Sequence, residues 1–592
     1  MCGINVILDF SGKAETNHLQ KMMVATDHRG PDASNFLERE VGKAKLLMGA
    51  NRLQIVDKLE ASNQPLVSLD GRYALVFNGE IYNYEDIRNN LLNKGVQFIT
   101  RSDTEVLLFH LIKKGTDGLK DLNGMFAFVF ANLESGELIV ARDSMGIKPL
   151  FVHRSKKKII VSSEIYGILA SGLVDKQLNE KVIPHYLAYK YALRPSTFYK
   201  GIEEMKPGTV WEVASTGEIE ESKIPPPKPS GKKITLKNLL IDSVIQQYST
   251  ANHTGIMLSG GVDSTLLLAI LNKELGYNHV PVYSITGTGM DGKFARQAAD
   301  QYQAEFNEVA INEGTLARVD EYIQTIDQPI ADSASLLTWL IAEKAAGTSK
   351  VLLSGAGADE LFAGYNRHKA FYTYLRNRNK VWFKGLPKAT HLPNWSGKLA
   401  SLKKVANAID PDASATFNNF IQSDFFRLPK QSIWDDNLAN EQHLCNAMRH
   451  DQENYLSADV LAITDHATMQ HSIETRVPYL DNQLVSFSRN QPGEELLKQG
   501  SKWMLKDLLD SYGGKSYTKR QKFGLGLPVN DWFKNSGRKD WWEFNKKESQ
   551  IHRFVTSATI DELIAAHQSG KTDYSQELWR ILVLHKWLEH NF

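Results

Sequence analysis

Cysteine is almost absent from this sequence: of 592 residues, only Cys2 and Cys445 carry a thiol. Two thiols build neither a disulfide framework nor a cysteine-rich metal site, and they suit a reducing compartment; a cytoplasmic location is the expectation. An excess of one charge is missing as well. Lys plus Arg number 69 against 68 Asp plus Glu, a net charge of +1, so no broad field exists to hold a nucleic acid or a membrane surface. No apolar run reaches the ~18 residues that a membrane span needs. The short apolar run at residues 4–8 has no basic segment before it, so a signal peptide is not expected. No internal repeat is found. Histidine offers no metal site either, because His466 and His471 are five apart on a helical stretch and do not share a face well. What is present is an ordinary globular composition, 42% hydrophobic and 23% charged, in a chain of roughly four domains' length at ~150 residues each.

Proline and lysine mark one boundary. Residues 222–233 hold four prolines among lysines and a Ser-Gly pair, the composition of a stiff, solvated linker. They divide the chain into residues 1–221 and 234–592. The first part reads as α+β with an antiparallel sheet: strands at 2–8, 73–77 (ending at Asn78-Gly79), 125–131, 138–141, 150–153 and 159–162, with helices at 84–92 and 104–113. The second part alternates differently, with strands at 254–258, 280–285 and 351–353 and helices at 264–275 and 293–302. That alternation predicts a parallel sheet covered on both faces. Beyond Tyr365 the pattern is mostly helical and rich in aromatics.

Cys2 directly follows the initiator Met1. Once Met1 is removed, Cys2 carries a free α-amine with a pKa of ~7.7–8.0, so one residue supplies a thiol nucleophile and a general base. Polar clusters follow at Arg52, Asn78-Gly79-Glu80 and Asp103. Amide hydrolysis by a thiol needs an oxyanion hole, which a side-chain amide and a backbone N–H at Asn78-Gly79 could supply. A free amino-acid substrate needs a cation for its carboxylate and an anion for its ammonium; Arg52 and Asp103 suit these. Taken singly, Cys2 reads rather as a packing residue, Asn78-Gly79 as a hairpin turn and Arg52 as a surface charge.

Ser259-Gly260-Gly261-Val262-Asp263-Ser264 follows an apolar strand and opens an apolar helix. Its glycines let backbone N–H groups approach a polyphosphate, and the helix N-terminus adds partial positive charge. Asp263 would repel a bare anion and instead suits a ligand of Mg²⁺ bridging to phosphate oxygens. No Walker Gly-Lys-Ser/Thr occurs. Gly287 to Gly292 fits a GxGxxG pattern, which alone is a weak sign of a dinucleotide site. Ser354-Gly355-Ala356-Gly357-Ala358-Asp359-Glu360 follows another apolar strand and should reach the same sheet edge. Asp327, Asp332, the stretch from Ser472 to Asp481, Lys502 and the stretch from Arg520 to Gly524 complete the polar clusters.

Together these segments resemble two known families. Residues 2–200 resemble the class II glutamine amidotransferase domain, an N-terminal-nucleophile hydrolase with an αββα sandwich. The remainder resembles the asparagine synthetase domain, a PP-loop ATP pyrophosphatase of the adenine nucleotide alpha-hydrolase-like α/β class, with a mostly helical extension. The whole chain is similar to glutamine-dependent asparagine synthetases of the bacterial B type. The resemblance implies that Cys2 attacks glutamine and releases ammonia, with Asn78 and Gly79 as oxyanion hole. Arg52, Asn78, Gly79, Glu80 and Asp103 would bind glutamine. Met257, Ser259, Gly260, Gly261, Asp263, Ser264, Ile285, Ser354, Gly355 and Lys502 would bind ATP and pyrophosphate, and Asp263 and Asp359 would hold Mg²⁺. Aspartate would be adenylated and then aminated, with ammonia passing through an internal tunnel. Small molecules are the expected partners, with a homodimer as one option for assembly. Two departures stand out: Ala356 replaces a glutamate common in these synthetases, and Ala363 replaces a glycine. The first leaves a different acceptor carboxylate open, such as a sugar acid, a cell-wall precursor or a secondary-metabolite precursor.

Overall fold

The computed structural model describes every residue except 1, 226–234, 250–252, 288–289, 381–404, 520–524, 536–543, 547 and 571. Its first strands are β1 (Cys2–Asp9), β2 (Ala33–Val41), β3 (Ala44–Arg52), β4 (Leu66–Val67), β5 (Tyr73–Ile81) and β6 (Gly124–Asn132). They are followed by β7 (Leu138–Arg142), β8 (Phe151–Arg154), β9 (Lys158–Ser162), β10 (Ile202–Glu204), β11 (Thr209–Val213) and β12 (Ile219–Lys223). These form two sheets, ordered β10-β8-β9-β1-β3-β2 and β12-β11-β7-β6-β5-β4. Helices Thr16–Ala25 and Ile165–Ala170 pack outside the first sheet, and Tyr84–Leu92 and Asp103–Lys114 outside the second. The result is the αββα sandwich.

Strand parity explains what faces what. Side chains alternate across a strand. Cys2, Ile4, Val6 and Leu8 of β1 share one interior cluster with Ala74 and Val76 of β5. Leu75 and Phe77 point the other way, into the helices. The same parity places Asn78 and Glu80 on the interior face, toward Cys2. Here the strand boundary differs from expectation. β5 does not end at Asn78-Gly79 but continues to Ile81, with Asn78 opposite Ala127 and Gly79 opposite Phe126 of β6. The pair is mid-strand, not a turn. Glycine is required there because a Cβ at position 79 would sit 2.1 Å from the Met125 carbonyl oxygen.

The second half is built on β13 (Thr254–Met257), β14 (Pro281–Thr286), β15 (Glu305–Ala310), β16 (Val351–Leu353) and β17 (Glu474–Arg476), ordered β15-β14-β13-β16-β17. All four pairings are parallel. Ile256 lies opposite Leu353, so the loops that follow β13 and β16 emerge side by side at the C-terminal sheet edge, where α/β folds place ligands. β15 and β17 were not expected. The first is a polar edge strand. The second carries Glu474, Thr475 and Arg476, all buried, which is the reverse of an apolar strand signal.

Helices Asn366–Asn377, Ala413–Ile421 and Asn440–His450 lead into a π-helical stretch, Asp451–Leu461, and then into helix Ala462–Met469. β12 takes up the first residues of the expected linker; residues 226–233 and Arg520 to Gly524 lie outside the described residues. Among the described residues, no helix is long and apolar enough to cross a membrane.

Ala363 adopts φ +51 although it is not glycine. An L-residue in the left-handed region costs about 1–2 kcal/mol, partly offset by the extra unfolded-state freedom of glycine. Ala363→Gly is therefore expected to stabilise the second half by up to about 1 kcal/mol, read as a higher midpoint in urea denaturation.

Candidate active sites

In the first centre, the Cys2 backbone nitrogen donates to Asn78 Oδ1 at 3.2 Å. That bond fixes the carboxamide with its Nδ2 turned away, and Nδ2 is buried without a hydrogen-bond partner among the described residues. A buried, unsatisfied N–H donor is costly, and one on a residue bonded to the Cys2 backbone suits an oxyanion. Gln64 also reaches this centre. Its Nε2 lies 3.5 Å from Cys2 Sγ, and its Oε1 accepts from Phe77 N at 2.6 Å. Burial pushes the Cys2 thiol up, against the opposing pull of the terminal ammonium and Arg52.

Arg52 stands opposite Cys2 in the β1–β3 register. Its guanidinium donates to Leu59 O at 3.1 Å, to Asn63 Oδ1 at 2.9 Å and to Asp57 O, tying down the loop that follows β3. Asp103 begins its helix and accepts from Ile81 N at 3.1 Å. Burial pushes its carboxyl up to about 6. Glu80 spends Oε2 on Arg476 Nη2 at 3.2 Å, while Oε1 is buried without a hydrogen-bond partner among the described residues.

In the second centre, Ser259 N and Oγ each lie 3.1 Å from Ser264 Oγ, curling the loop over the N-terminus of helix Val262–Lys273. Gly260 has φ +67, and a Cβ there would meet Ala295 N at 2.5 Å. Across the sheet edge, Gly355 packs so closely that a Cβ would lie 2.9 Å from Asp263 Cβ. Lys502 Nζ then joins the two loops, 2.5 Å from Asp263 Oδ2 and 2.6 Å from Asp359 Oδ1. These two carboxylates raise the lysine's affinity for its proton despite burial. Lys502 itself has φ +54, backbone strain of the kind retained at functional positions. Gly364 leaves room for the triad: a Cβ there would fall 1.9 Å from Asp359 Oδ1 and 2.1 Å from Lys502 Cε. Ser354 N donates to Arg476 O at 2.9 Å, Met257 ends β13, and Ile285 is buried on β14. Ala356, half-buried, donates its N–H to Ser354 Oγ at 3.3 Å.

Sequence comparison matches residues 1–223 to the glutamine amidotransferase domain and residues 235–589 to asparagine synthase. The chain belongs to the asparagine synthase family. A putative glutamine-hydrolyzing asparagine synthetase of Mycobacterium tuberculosis is 28% identical, covering 98% of this chain and 93% of that protein. Glutamine-hydrolyzing asparagine synthetase 1 of Bacillus subtilis is 27% identical, covering 99% and 96%. Amidase chyE of Penicillium rubens is 26% identical, covering 90% of each. A glutamine-dependent, ATP-using ligase is the enzyme class of this family, and the chain carries both of its domains.

The two domains of this asparagine synthase family member meet through buried charge. Arg29 joins Glu164 at 2.9 Å and Asp465 at 2.8 Å, and Lys148 reaches Asp465 at 3.2 Å. Arg476 is fully buried; it bonds Glu474 at 2.5 Å, Glu80 at 3.2 Å and Gln247 O at 2.8 Å. Removing one partner of such a network leaves uncompensated buried carboxylates, so Arg476→Met is expected to destabilise the protein by about 3–5 kcal/mol. Thermal denaturation checks this. Between the domains lies a cavity of about 60 Å³, lined by Arg29, Arg142, Ile147 and Glu164 on one side and by Tyr322, Ile330, Leu461 and Ile463 on the other.

Sequence reasoning missed Gln64, Gly364 and the bridging role of Arg476. The glycine could have been flagged by its place just after the Asp359 loop. Nothing local marks the other two, whose partners are 62 and 396 residues away.

Proposed function

We propose that the protein is a glutamine-dependent asparagine synthetase that adenylates the side-chain carboxylate of aspartate. The observation that carries the reading is the pairing, in one chain, of a thiol beside an unsatisfied Asn78 amide N–H with a phosphate loop closed by Lys502. Cys2, with Met1 removed, attacks the glutamine carboxamide; Asn78 Nδ2 and the Gly79 N–H receive the oxyanion. Arg52 and Asp103 take the glutamine α-groups, with Glu80 alongside, and ammonia leaves.

At the second centre the Ser259–Ser264 loop, with Ser354, Gly355 and Lys502, cradles ATP phosphates, while Met257 and Ile285 face the nucleoside. The donor set fits Mg²⁺ in kind: Asp263 and Asp359 bring two carboxylates within reach of the same Lys502 Nζ, and the remaining ligands of this ion are usually phosphate oxygens and waters. Asp263 and Asp359 would hold it, and it would screen phosphate charge against the incoming carboxylate. The acceptor carboxylate attacks the α-phosphorus, pyrophosphate leaves, and ammonia displaces AMP from the acyl-adenylate. Ammonia stays a nucleophile only if it avoids protonation in bulk water, which gives the inter-domain cavity a role as conduit.

Incubating purified protein with glutamine, ATP, Mg²⁺ and aspartate tests the reading. Asparagine, AMP and pyrophosphate should appear in equal amounts by mass spectrometry. Glutamate without asparagine or AMP would refute aspartate as acceptor and favour the second reading, another carboxylate, to which the methyl group at Ala356 points.

A pH dependence follows from Asp103. With its carboxyl near pH 6, the anion that holds the glutamine ammonium is present above that value and lost below it. The kcat/KM for glutamine is expected to fall about tenfold per pH unit below about 6, and the fall should be absent in Asp103→Asn.

A further inference from the structure

Two carboxamides approach Cys2, that of Asn78 and that of Gln64. Gln64 is 3% exposed and lies just before β4. β4 is only two residues long, pairing Leu66 with Leu75 and Val67 with Ala74 of β5. Carried back by two residues, that antiparallel register sets position 64 opposite Phe77. Pro65, between them, has no backbone N–H to continue the ladder. The Gln64 side chain takes the place of the missing strand, its Oε1 accepting from Phe77 N at 2.6 Å. The loop before it is pinned as well, by Arg52 Nη1 on Asn63 Oδ1 at 2.9 Å.

A carboxamide has one acceptor end and one donor end. A backbone N–H is met only by the oxygen, so the Phe77 bond fixes which way round the Gln64 group lies. Nε2 is the end left at Cys2 Sγ, 3.5 Å away. Beside a neutral thiol such a contact is weak; beside a thiolate it becomes a charge-assisted hydrogen bond. The thiolate needs one. Burial disfavours it, and so does the Asp103 charge, while the terminal ammonium, Arg52 and the Leu53 backbone favour it. We infer that Gln64 is a catalytic residue of the glutamine-hydrolysing centre, whose Nε2–H donates to the Cys2 sulfur as the thiolate forms. This rests on the proposed function for the reaction it serves. There Arg52 and Asp103 are taken up by the glutamine α-groups, and Gln64 stays with the sulfur. The thiol proton passes to the α-amine of Cys2, and the sulfur carries the negative charge against the Gln64 N–H until its electron pair forms the S–C bond to the glutamine carboxamide. Asn78 Nδ2 and the Gly79 N–H then meet the charge on oxygen, so the two carboxamides serve it in succession.

The test compares wild type, Gln64→Glu and Gln64→Met as full-length purified proteins. Gln64→Glu keeps the size and an oxygen for the Phe77 N–H but sets an acceptor beside the sulfur. Gln64→Met removes donor and acceptor alike. Thiolate formation is titrated by its ultraviolet absorbance, each protein read against its own Cys2→Ala counterpart so that Cys445 and the tyrosines cancel. The midpoint should rise by about one pH unit in Gln64→Met and by more in Gln64→Glu. The kcat/KM of Gln64→Met for glutamine, taken as a ratio to wild type at each pH so that the Asp103 step cancels, should fall about threefold below the midpoint, because a more basic thiolate is the better nucleophile. That deficit should close as the pH passes both midpoints. A residue that merely supports the loop would lower the ratio equally at every pH and leave the titration in place. If the protein hydrolyses no glutamine, the proposed activity fails while the titration still decides on Gln64. Gln64→Glu and Gln64→Met proteins that melt cooperatively and share the wild-type midpoint would overturn the inference.

Discussion

A Cys2→Ala variant is expected to release glutamate from glutamine at least about 10⁴-fold more slowly than wild type, while still forming product from ammonium chloride and ATP. No other described thiol can substitute, because Cys445 lies on helix Asn440–His450, in the other half of the chain. The loss should be in kcat rather than KM, since the substrate contacts assigned to Arg52 and Asp103 remain. Cys2→Ser is a sharper version. The hydroxyl keeps the size and a hydrogen-bonding atom for Gln64, whose Nε2 lies 3.5 Å from the sulfur, but it is far less acidic than a thiol. It should bind glutamine and turn it over hardly at all. Glutamate release in a continuous coupled assay, measured against ammonium-dependent AMP formation, separates the two halves. A Cys2→Ala protein that still hydrolysed glutamine at the wild-type rate would remove the nucleophile from the account.

The second large effect is at Lys502. Its ammonium is the point where the two loops proposed to hold ATP phosphates meet, shared by Asp263 at 2.5 Å and Asp359 at 2.6 Å. Lys502→Met keeps the aliphatic stem and removes the charge. Two carboxylates then face each other in a partly buried site, and the phosphates lose a preorganised donor. Removing one such donor costs about 10²–10³-fold in kcat, so ATP cleavage to AMP and pyrophosphate should fall by at least that factor. Glutamine hydrolysis, centred on β1 and β5, should persist. Gly364→Ala should give a similar phenotype for a steric reason, because the added methyl would fall within 2.1 Å of Lys502 Cε. Equal losses of glutaminase and ATP cleavage would mean that either change had unfolded the chain instead.

Much of this was legible because it is written in local patterns. The Ser259 to Ser264 loop follows β13 directly and opens its helix, so strand, glycines and helix cap appear in one short window. The apolar strands β1, β6 and β16 announce themselves by composition. Asn78-Gly79 shows where such reading stops. The pair is a turn signal in isolation, yet here the close approach of β6 demands the glycine and strand parity aims the asparagine at Cys2. β17 was hidden for the opposite reason: its Glu474 and Arg476 are buried because they neutralise each other and Glu80 across the domain boundary, and no single-strand pattern encodes a partner 396 residues away.

In the proposed mechanism, nitrogen freed at Cys2 reaches the synthetase centre inside the protein. Glutamine carrying an isotopically labelled amide, supplied with ATP, Mg²⁺ and aspartate in the presence of excess unlabelled ammonium chloride, tests it most directly. Asparagine that retains most of the label, formed in step with AMP, is the predicted result. Asparagine whose label matches the mixed ammonium pool would show that the two centres exchange nitrogen through solvent, and would contradict the claim.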